Sequence, residues 1–234
     1  MGFKGKTILV TGASGNLGRA VAAGFAAEGA TLVLVGSSLP HLERAFGATG
    51  ERQILVPADL LDQASVTRAV EVAIGQTGRI DVLCALAGGF RMGEPVHETS
   101  TETWDYLLDL NARGLVHTAK AVVPHMLAAG GGKIVTVGAA AAQRGAAGMG
   151  AYSASKAAVI RLTEAMSAEL RDHGINVNCV LPTIIDTPEN RAAMPKANPA
   201  KWVAPEDLAS VILFLASDAA RAVHGAALPV TGLS

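Results

Sequence analysis

The sequence predicts a single α/β domain over residues 1–234, a doubly wound parallel sheet with helices on both faces. Three observations carry that prediction. Short β-branched runs alternate with segments of helical periodicity and short loops along nearly the whole chain, as right-handed βαβ crossovers require. Half the residues are apolar but only 4% are aromatic, so the core is expected to be built from Ala, Val, Leu and Ile. No repeat, charge block or linker interrupts the alternation, and 234 residues suit one large domain.

Lys6 to Val10 is a short strand that stops at Thr11-Gly12. Leu17, Ala20, Val21, Gly24 and Phe25 then recur at helical spacing, so a helix starts near Asn16. Between them lies Gly12-Ala13-Ser14-Gly15-Asn16-Leu17-Gly18. A glycine turn at a first strand–helix junction brings backbone N–H groups up to a diphosphate, and the helix N-terminus adds its dipole. Thr31 to Val35 is the second strand, whose end in such a fold meets an adenosine ribose. An acid there selects NAD and a base tolerates NADP. Gly36-Ser37-Ser38 supplies neither, and the missing acid leans mildly to NADP.

A helix follows from Leu39, and Gln53 to Pro57 is the third strand, closed by Ala58-Asp59-Leu60. By position Asp59 suits an adenine contact and loop punctuation equally. Val66, Ala69, Val70 and Ala73 mark the next helix, and Ile80 to Leu86 the fourth strand. At its end Ala87-Gly88-Gly89 again lets backbone approach a cofactor. Residues 90–100 read as a loop. Thr101 to Leu127 is mostly helical, with a break or kink expected at Pro124. Asn111 falls mid-helix, where an amide ordinarily faces solvent or caps something local. Lys133 to Val137 is the fifth strand, residues 138–150 a small-residue loop, and Ile175 to Leu181 the sixth strand. Residues 182–204 are expected to form an irregular lid over the ligand side. Pro205-Glu206-Asp207 opens the last helix, with Pro at N1 and acids in the first turn, and Ala226 to Val230 is a final strand.

Gly150-Ala151-Tyr152-Ser153-Ala154-Ser155-Lys156 opens a long helix running to Leu170. Tyr152 and Lys156 are four apart, so their side chains share one face. A free phenol has a pKa near ~10. A neighbouring ammonium is expected to lower it and fit the tyrosine for general acid–base work.

Bulk properties exclude several classes. Nineteen basic and twenty acidic residues leave a formal charge of −1, which attracts neither nucleic acid nor an anionic membrane. Cys84 and Cys179 sit far apart in apolar runs and read as buried free thiols of a reducing compartment. No apolar run approaches the ~20 residues of a membrane span, and no targeting segment shows, so the reading is soluble and cytoplasmic. The six histidines lack metal-ligand spacing, so no metal is expected.

With Thr11-Gly12…Gly18, Asp59, Ala87-Gly88, Asn111, Tyr152…Lys156 and Pro182…Thr187 in order, the chain resembles the short-chain dehydrogenase/reductase family, a Rossmann fold, over nearly its whole length. The resemblance implies an NAD(P)H-dependent oxidoreductase acting on a small-molecule substrate, commonly a homodimer or homotetramer. It implies catalysis by Tyr152, with Lys156 lowering its pKa and binding the nicotinamide ribose, and Asn111 holding a water that links Lys156 to solvent. It implies a cofactor lined by Gly12, Ser14, Gly15, Asn16, Leu17, Gly18, Ser37, Asp59, Leu60, Ala87, Gly88, Tyr152, Lys156, Pro182 and Thr187, with Asp59 at the adenine and Thr187 at the nicotinamide carboxamide.

The departures from the family pattern matter as much. Asn16 replaces a glycine of TGxxxGxG, and Asn is the residue that best tolerates left-handed geometry after glycine. The family's Asn-Asn-Ala-Gly is Ala85-Leu86-Ala87-Gly88, and its Pro-Gly is Pro182-Thr183. The catalytic serine that the family places thirteen residues before the tyrosine is Ala139. By analogy with oxyanion-hole deletions such a hydroxyl is worth roughly 10²–10³ in rate. Dihydropteridine reductases look similar in the same serine-less loop and along Leu181 to Trp202. Their electron-poor substrate accepts hydride without a polarised carbonyl. The expectation is therefore hydride transfer to a small electrophile, pterin-like, with a carbonyl or 3-oxoacyl reductase as the alternative. A catalytically weak dinucleotide-binding protein is the alternative of another class.

Overall fold

The structure is a computed structural model and describes residues 2–234. Seven runs become strands: β1 (Thr7–Thr11), β2 (Thr31–Gly36), β3 (Gln53–Pro57), β4 (Val82–Ala85), β5 (Gly132–Val137), β6 (Ile175–Pro182) and β7 (Ala227–Val230). Eight helices connect and cover them: α1 (Asn16–Ala27), α2 (Leu39–Phe46), α3 (Gln63–Thr77), α4 (Thr101–Leu108), α5 (Gly114–Ala128), α6 (Gly150–Leu170), α7 (Pro188–Ala193) and α8 (Pro205–Ala216). The strands form one sheet in the order β3-β2-β1-β4-β5-β6-β7, parallel throughout.

Successive strand residues face opposite sides, so each strand feeds two cores. Ile8 and Val10 join Leu32, Leu34, Val82 and Cys84 under α1 and α8. Leu9 joins Val33, Val35, Leu83 and Ile134 under α3 and α5. Burial on both faces explains why these strands read as unbroken apolar runs. Cys84 and Cys179 are buried and free, as expected. The winding reverses between β1 and β4, which opens a crevice at their carboxyl ends.

Three expectations change. Helix α5 runs through Pro124 instead of breaking there. The carbonyl that loses its partner belongs to exposed Lys120, where water can replace the missing N–H. The interruption lies earlier, in a π turn at Asp109–Arg113 between α4 and α5. Its extra residue turns Asn111 inward, and Asn111 is 2% exposed, so it does not face solvent. The segment after β6 is not wholly irregular, because Thr187 caps α7 by accepting from the Asn190 N–H. Among the described residues no helix is long and apolar enough to cross a membrane, and no group of three His, Cys, Asp or Glu could hold a metal.

Candidate active site

The turn after β1 is shaped by what its glycines lack. Gly12 adopts φ +66, and a Cβ there would lie 2.9 Å from the Ala87 Cα. A Cβ on Gly18 would overlap the carbonyl oxygens of Gly12 and Ala13, so α1 reaches this turn only without a side chain. Gly15 precedes α1, whose first turn has neither a side-chain cap nor an acid. The N–H groups of Asn16, Leu17 and Gly18 thus begin a helix without intrahelical acceptors. Free donors, the helix dipole and a side-chain-free floor fit a dinucleotide diphosphate. Thr11 Oγ1 accepts from the Ala87 N–H at 3.4 Å, tying this turn to the end of β4.

Asn16 is the first residue of α1, and no non-glycine residue described has positive φ, so its tolerance of left-handed geometry is not used. Its amide works instead as a side chain, donating to Glu189 Oε2 of α7 at 2.8 Å and accepting from Arg19 at 2.7 Å. Ser14 is half-buried in the turn, and Ser37 is exposed at the end of β2. Asp59 is exposed after β3, where its carboxylate accepts from the Leu61 N–H. Leu60 lines a small recess with Thr11, Ala87, Asn111 and Val137. Pro182 is buried at the end of β6, while Thr187 spends its hydroxyl on the α7 cap.

Asn111, Tyr152 and Lys156 come from two elements, the π turn and α6. Asn111 embraces Gly89: its Oδ1 accepts from the Gly89 N–H at 2.8 Å, and its Nδ2 donates to the Gly89 carbonyl at 3.1 Å. The same Nδ2 donates to Ser155 Oγ at 2.9 Å, and Ser155 donates to the Tyr152 carbonyl at 2.8 Å. The π turn, the end of β4 and the first turn of α6 are thereby locked together. Gly89 was read only as backbone that approaches a cofactor, and Ser155 was given no role by sequence reasoning; Ser155 sits three residues after Tyr152, a helical spacing that could have marked it. Gly88 must lack a side chain, because its Cβ would lie 2.7 Å from Asn111 Oδ1 and 2.9 Å from Lys156 Nζ.

Lys156 is buried and donates to the Val137 carbonyl at 2.9 Å. Burial pushes its amine down to about 8, with a smaller opposing pull from Cys179. Burial pushes the Tyr152 phenol up to about 12. The expected lowering of Tyr152 by Lys156 is therefore reversed in the protein alone: desolvation disfavours the charged form of both groups.

Tyr152 also lines a cleft of about 200 Å³ with Arg91, Met92, Glu94, Thr99, Thr103 and residues 148–151. Phe90 packs edge-on against the Tyr152 ring at 4.8 Å between centroids. The two threonine hydroxyls are committed elsewhere, Thr99 to the Pro95 carbonyl and Thr103 to Glu94. Ala139 follows β5, buried at 4% exposure, and brings only a methyl where a serine would bring a donor. Among the described residues, the Tyr152 phenol is left as the uncommitted hydroxyl of the cleft lining.

Comparison with known proteins identifies the family. Residues 6–198 match the family model described as short chain dehydrogenase. The chain is 36% identical to cis-4-hydroxycyclohexanecarboxylate dehydrogenase of Sinomonas cyclohexanicum, over 98% of this chain and 96% of that protein. It is 32% identical to (-)-trans-carveol dehydrogenase of Rhodococcus erythropolis, over 97% and 96%. Carveol dehydrogenase from Mycobacterium avium in complex with NAD superposes with a TM-score of 0.91 at 29% identity, covering 99% of this chain and 98% of that one. The chain is an oxidoreductase of the short-chain dehydrogenase/reductase family.

Proposed function

We propose that the protein interconverts a small alcohol and its ketone with a nicotinamide dinucleotide, Tyr152 exchanging the proton. The observation that carries this reading is Tyr152, which lines the cleft while sharing a helix with Lys156, whose amine stands against Gly88. When bound, the dinucleotide supplies or accepts the hydride. In reduction the Tyr152 hydroxyl gives its proton to the carbonyl oxygen; in oxidation the phenolate takes the proton of the alcohol. Lys156, with N–H donors beyond the one given to Val137, would hold the nicotinamide ribose and oppose the phenolate charge. Asn111 would keep Tyr152 in place through Ser155 and Gly89.

The relatives named for carveol and hydroxycyclohexanecarboxylate support an alcohol–ketone couple over a pterin. NAD and NADH in related structures support a nicotinamide cofactor. Ser37 without an acid beside it supports tolerance of NADP. The pterin-like reading stands second and rests on Ala139, because an electron-poor ring accepts hydride without the missing hydroxyl.

The test is turnover of NADH and NADPH with a ketone panel and with quinonoid dihydropterin, in wild type and Tyr152→Phe. Ketone turnover is expected to fall by ~10²–10⁴ in the variant, the usual worth of a positioned proton donor, while dinucleotide affinity stays within a few-fold. Tight cofactor binding without Tyr152-dependent turnover would replace this reading with a dinucleotide-binding protein.

A further inference from the structure

The cleft beside Tyr152 has one basic side chain in its lining, Arg91, held in a way that leaves its donors available. The guanidinium lies over the Tyr106 ring, 4.2 Å from the centroid. Such a stack fixes the plane of the group without consuming an N–H. Its ion pair runs from Nη1 to Glu102 Oε1 at 3.1 Å, and the Glu102 side chain is 82% exposed. An exposed single contact of this kind is weak and yields readily to a better acceptor. A guanidinium carries five N–H donors, so most of the fork remains free for a planar anion.

The acid in the same lining does not compete for that fork. Glu94 Oε1 accepts from Thr103 Oγ1 at 3.1 Å and from Ser100 Oγ at 3.4 Å, and Oε2 accepts from the Ser100 N–H at 3.0 Å. It braces the loop against the start of α4. The other walls are apolar or small: Met92, Met149, Ala151 and the glycines at 148 and 150. At about 200 Å³ the cleft lies below the ~300–1,000 Å³ that drug-sized ligands occupy.

We infer that Arg91 is a specificity residue that clamps the carboxylate of a small oxo- or hydroxy-carboxylic acid whose carbonyl or hydroxyl end meets Tyr152. The inference rests on the alcohol–ketone activity proposed above and names its substrate class. A substrate with charge at one end and the reacting oxygen at the other is held by two directional contacts, with its apolar body between the methionines.

The experiment compares 4-oxocyclohexanecarboxylate with its uncharged methyl ester, in wild type, Arg91→Lys, Arg91→Met and Glu102→Gln, with Tm recorded for each. Wild type is expected to favour the acid by tenfold or more in kcat/KM. Arg91→Met should erase that preference, chiefly by raising KM for the acid, with a much smaller loss on the ester. Arg91→Lys should keep part of it, since a point charge lacks the fork. Glu102→Gln, which frees the guanidinium, should raise kcat/KM for the acid a few-fold. An acid-to-ester ratio that stays the same in Arg91→Met, or a wild type that prefers the ester, overturns the clamp. Tyr152-dependent turnover of the ester or a neutral diketone without turnover of the acid also overturns it, while leaving the oxidoreductase reading intact. Tyr152-independent or absent turnover on every ketone removes both.

Discussion

The glycine turn and the substrate cleft border on one helix, α6, which lends Tyr152 to the cleft lining and sets Lys156 against Gly88, next to the turn's neighbour Ala87, yet they are made by opposite means. The turn is made of backbone and of absences: Gly12 and Gly18 are required because any Cβ would meet backbone atoms that cannot move aside. The cleft is made of side chains from residues 91–103 and 148–152, joined across the sequence by the Gly93 N–H donating to the Gly148 carbonyl at 2.7 Å. The difference teaches where change is tolerated. Alteration of the turn strikes the fold and cofactor binding together, whereas alteration of the cleft should move substrate preference and leave the fold alone.

The sharpest way to break that contrast is a matched pair of truncation and addition. Gly12→Ala places a methyl in left-handed backbone and against Ala87, a combination expected to cost about 3 kcal/mol. In a chain of this length that corresponds to a Tm lower by roughly 6–12 °C. Met149→Ala, in the cleft wall, is expected to shift Tm by only about 2 °C and to act on KM. Differential scanning fluorimetry on both variants checks it. A stable Gly12→Ala protein, or a Met149→Ala protein that melts as early, would remove the distinction.

The border itself is sensitive to pH. Buried Lys156 holds its proton only below about 8, while in the unfolded chain it does so to its ordinary value near 10.5. Below pH 8 both states carry the charge, and the fold bears the full cost of burying it, roughly 3 kcal/mol. Between pH 8 and 10.5 the unfolded chain binds the extra proton, so this group makes stability rise with pH. Lys156→Met removes the cost, offset by about 1 kcal/mol for the lost hydrogen bond to Val137. The variant should therefore be the more stable protein at pH 7, with its advantage shrinking and then reversing towards pH 10.5. Urea unfolding at four pH values measures this, and parallel curves for the two proteins would contradict it.

Ala139 tests the cleft's chemistry without touching the turn. Ala139 is buried after β5, at the position where the family pattern has its serine, and Tyr152 is the uncommitted hydroxyl of the cleft lining, so a hydroxyl at position 139 should raise ketone turnover. Ala139→Ser is expected to increase kcat on a small ketone about tenfold, less than the roughly 10²–10³ lost on deleting a donor from a preorganised site. If kcat on every ketone stays level while quinonoid dihydropterin is reduced quickly, the electron-poor ring becomes the better substrate class.

The same contrast explains what could be read from the sequence. The strands, their order of use and the glycine turn were legible because period, composition and steric exclusion are local properties. Tyr152 and Lys156 were legible as neighbours from their spacing, but not in the direction of their titration, which depends on burial. Asn111 was placed only by resemblance. Its partners lie 22 and 44 residues away, and the π turn that buries it has no local signature. Arg91, Met92 and Glu94 sat in a stretch readable only as loop, because a cleft wall exists only once another segment stands opposite. Asn16 was read by its backbone tolerance, whereas its contribution is a side-chain contact 173 residues away.

That contact yields the smallest expected effect. Asn16 opens α1 from the glycine turn, and its amide holds Glu189 of α7. The interaction is exposed and competes with water, so its contribution is small. Asn16→Gly removes it and restores the family's glycine, which should speed dinucleotide release about two- to five-fold, in keeping with a weak contact. Glu189→Gln keeps an acceptor for the Asn16 amide and should change release less. Stopped-flow displacement of bound NADH measures both. Equal release from wild type and Asn16→Gly would mean that α7 is held by its own cap and by the Asp186–Arg191 pair, and that the turn and α7 act independently.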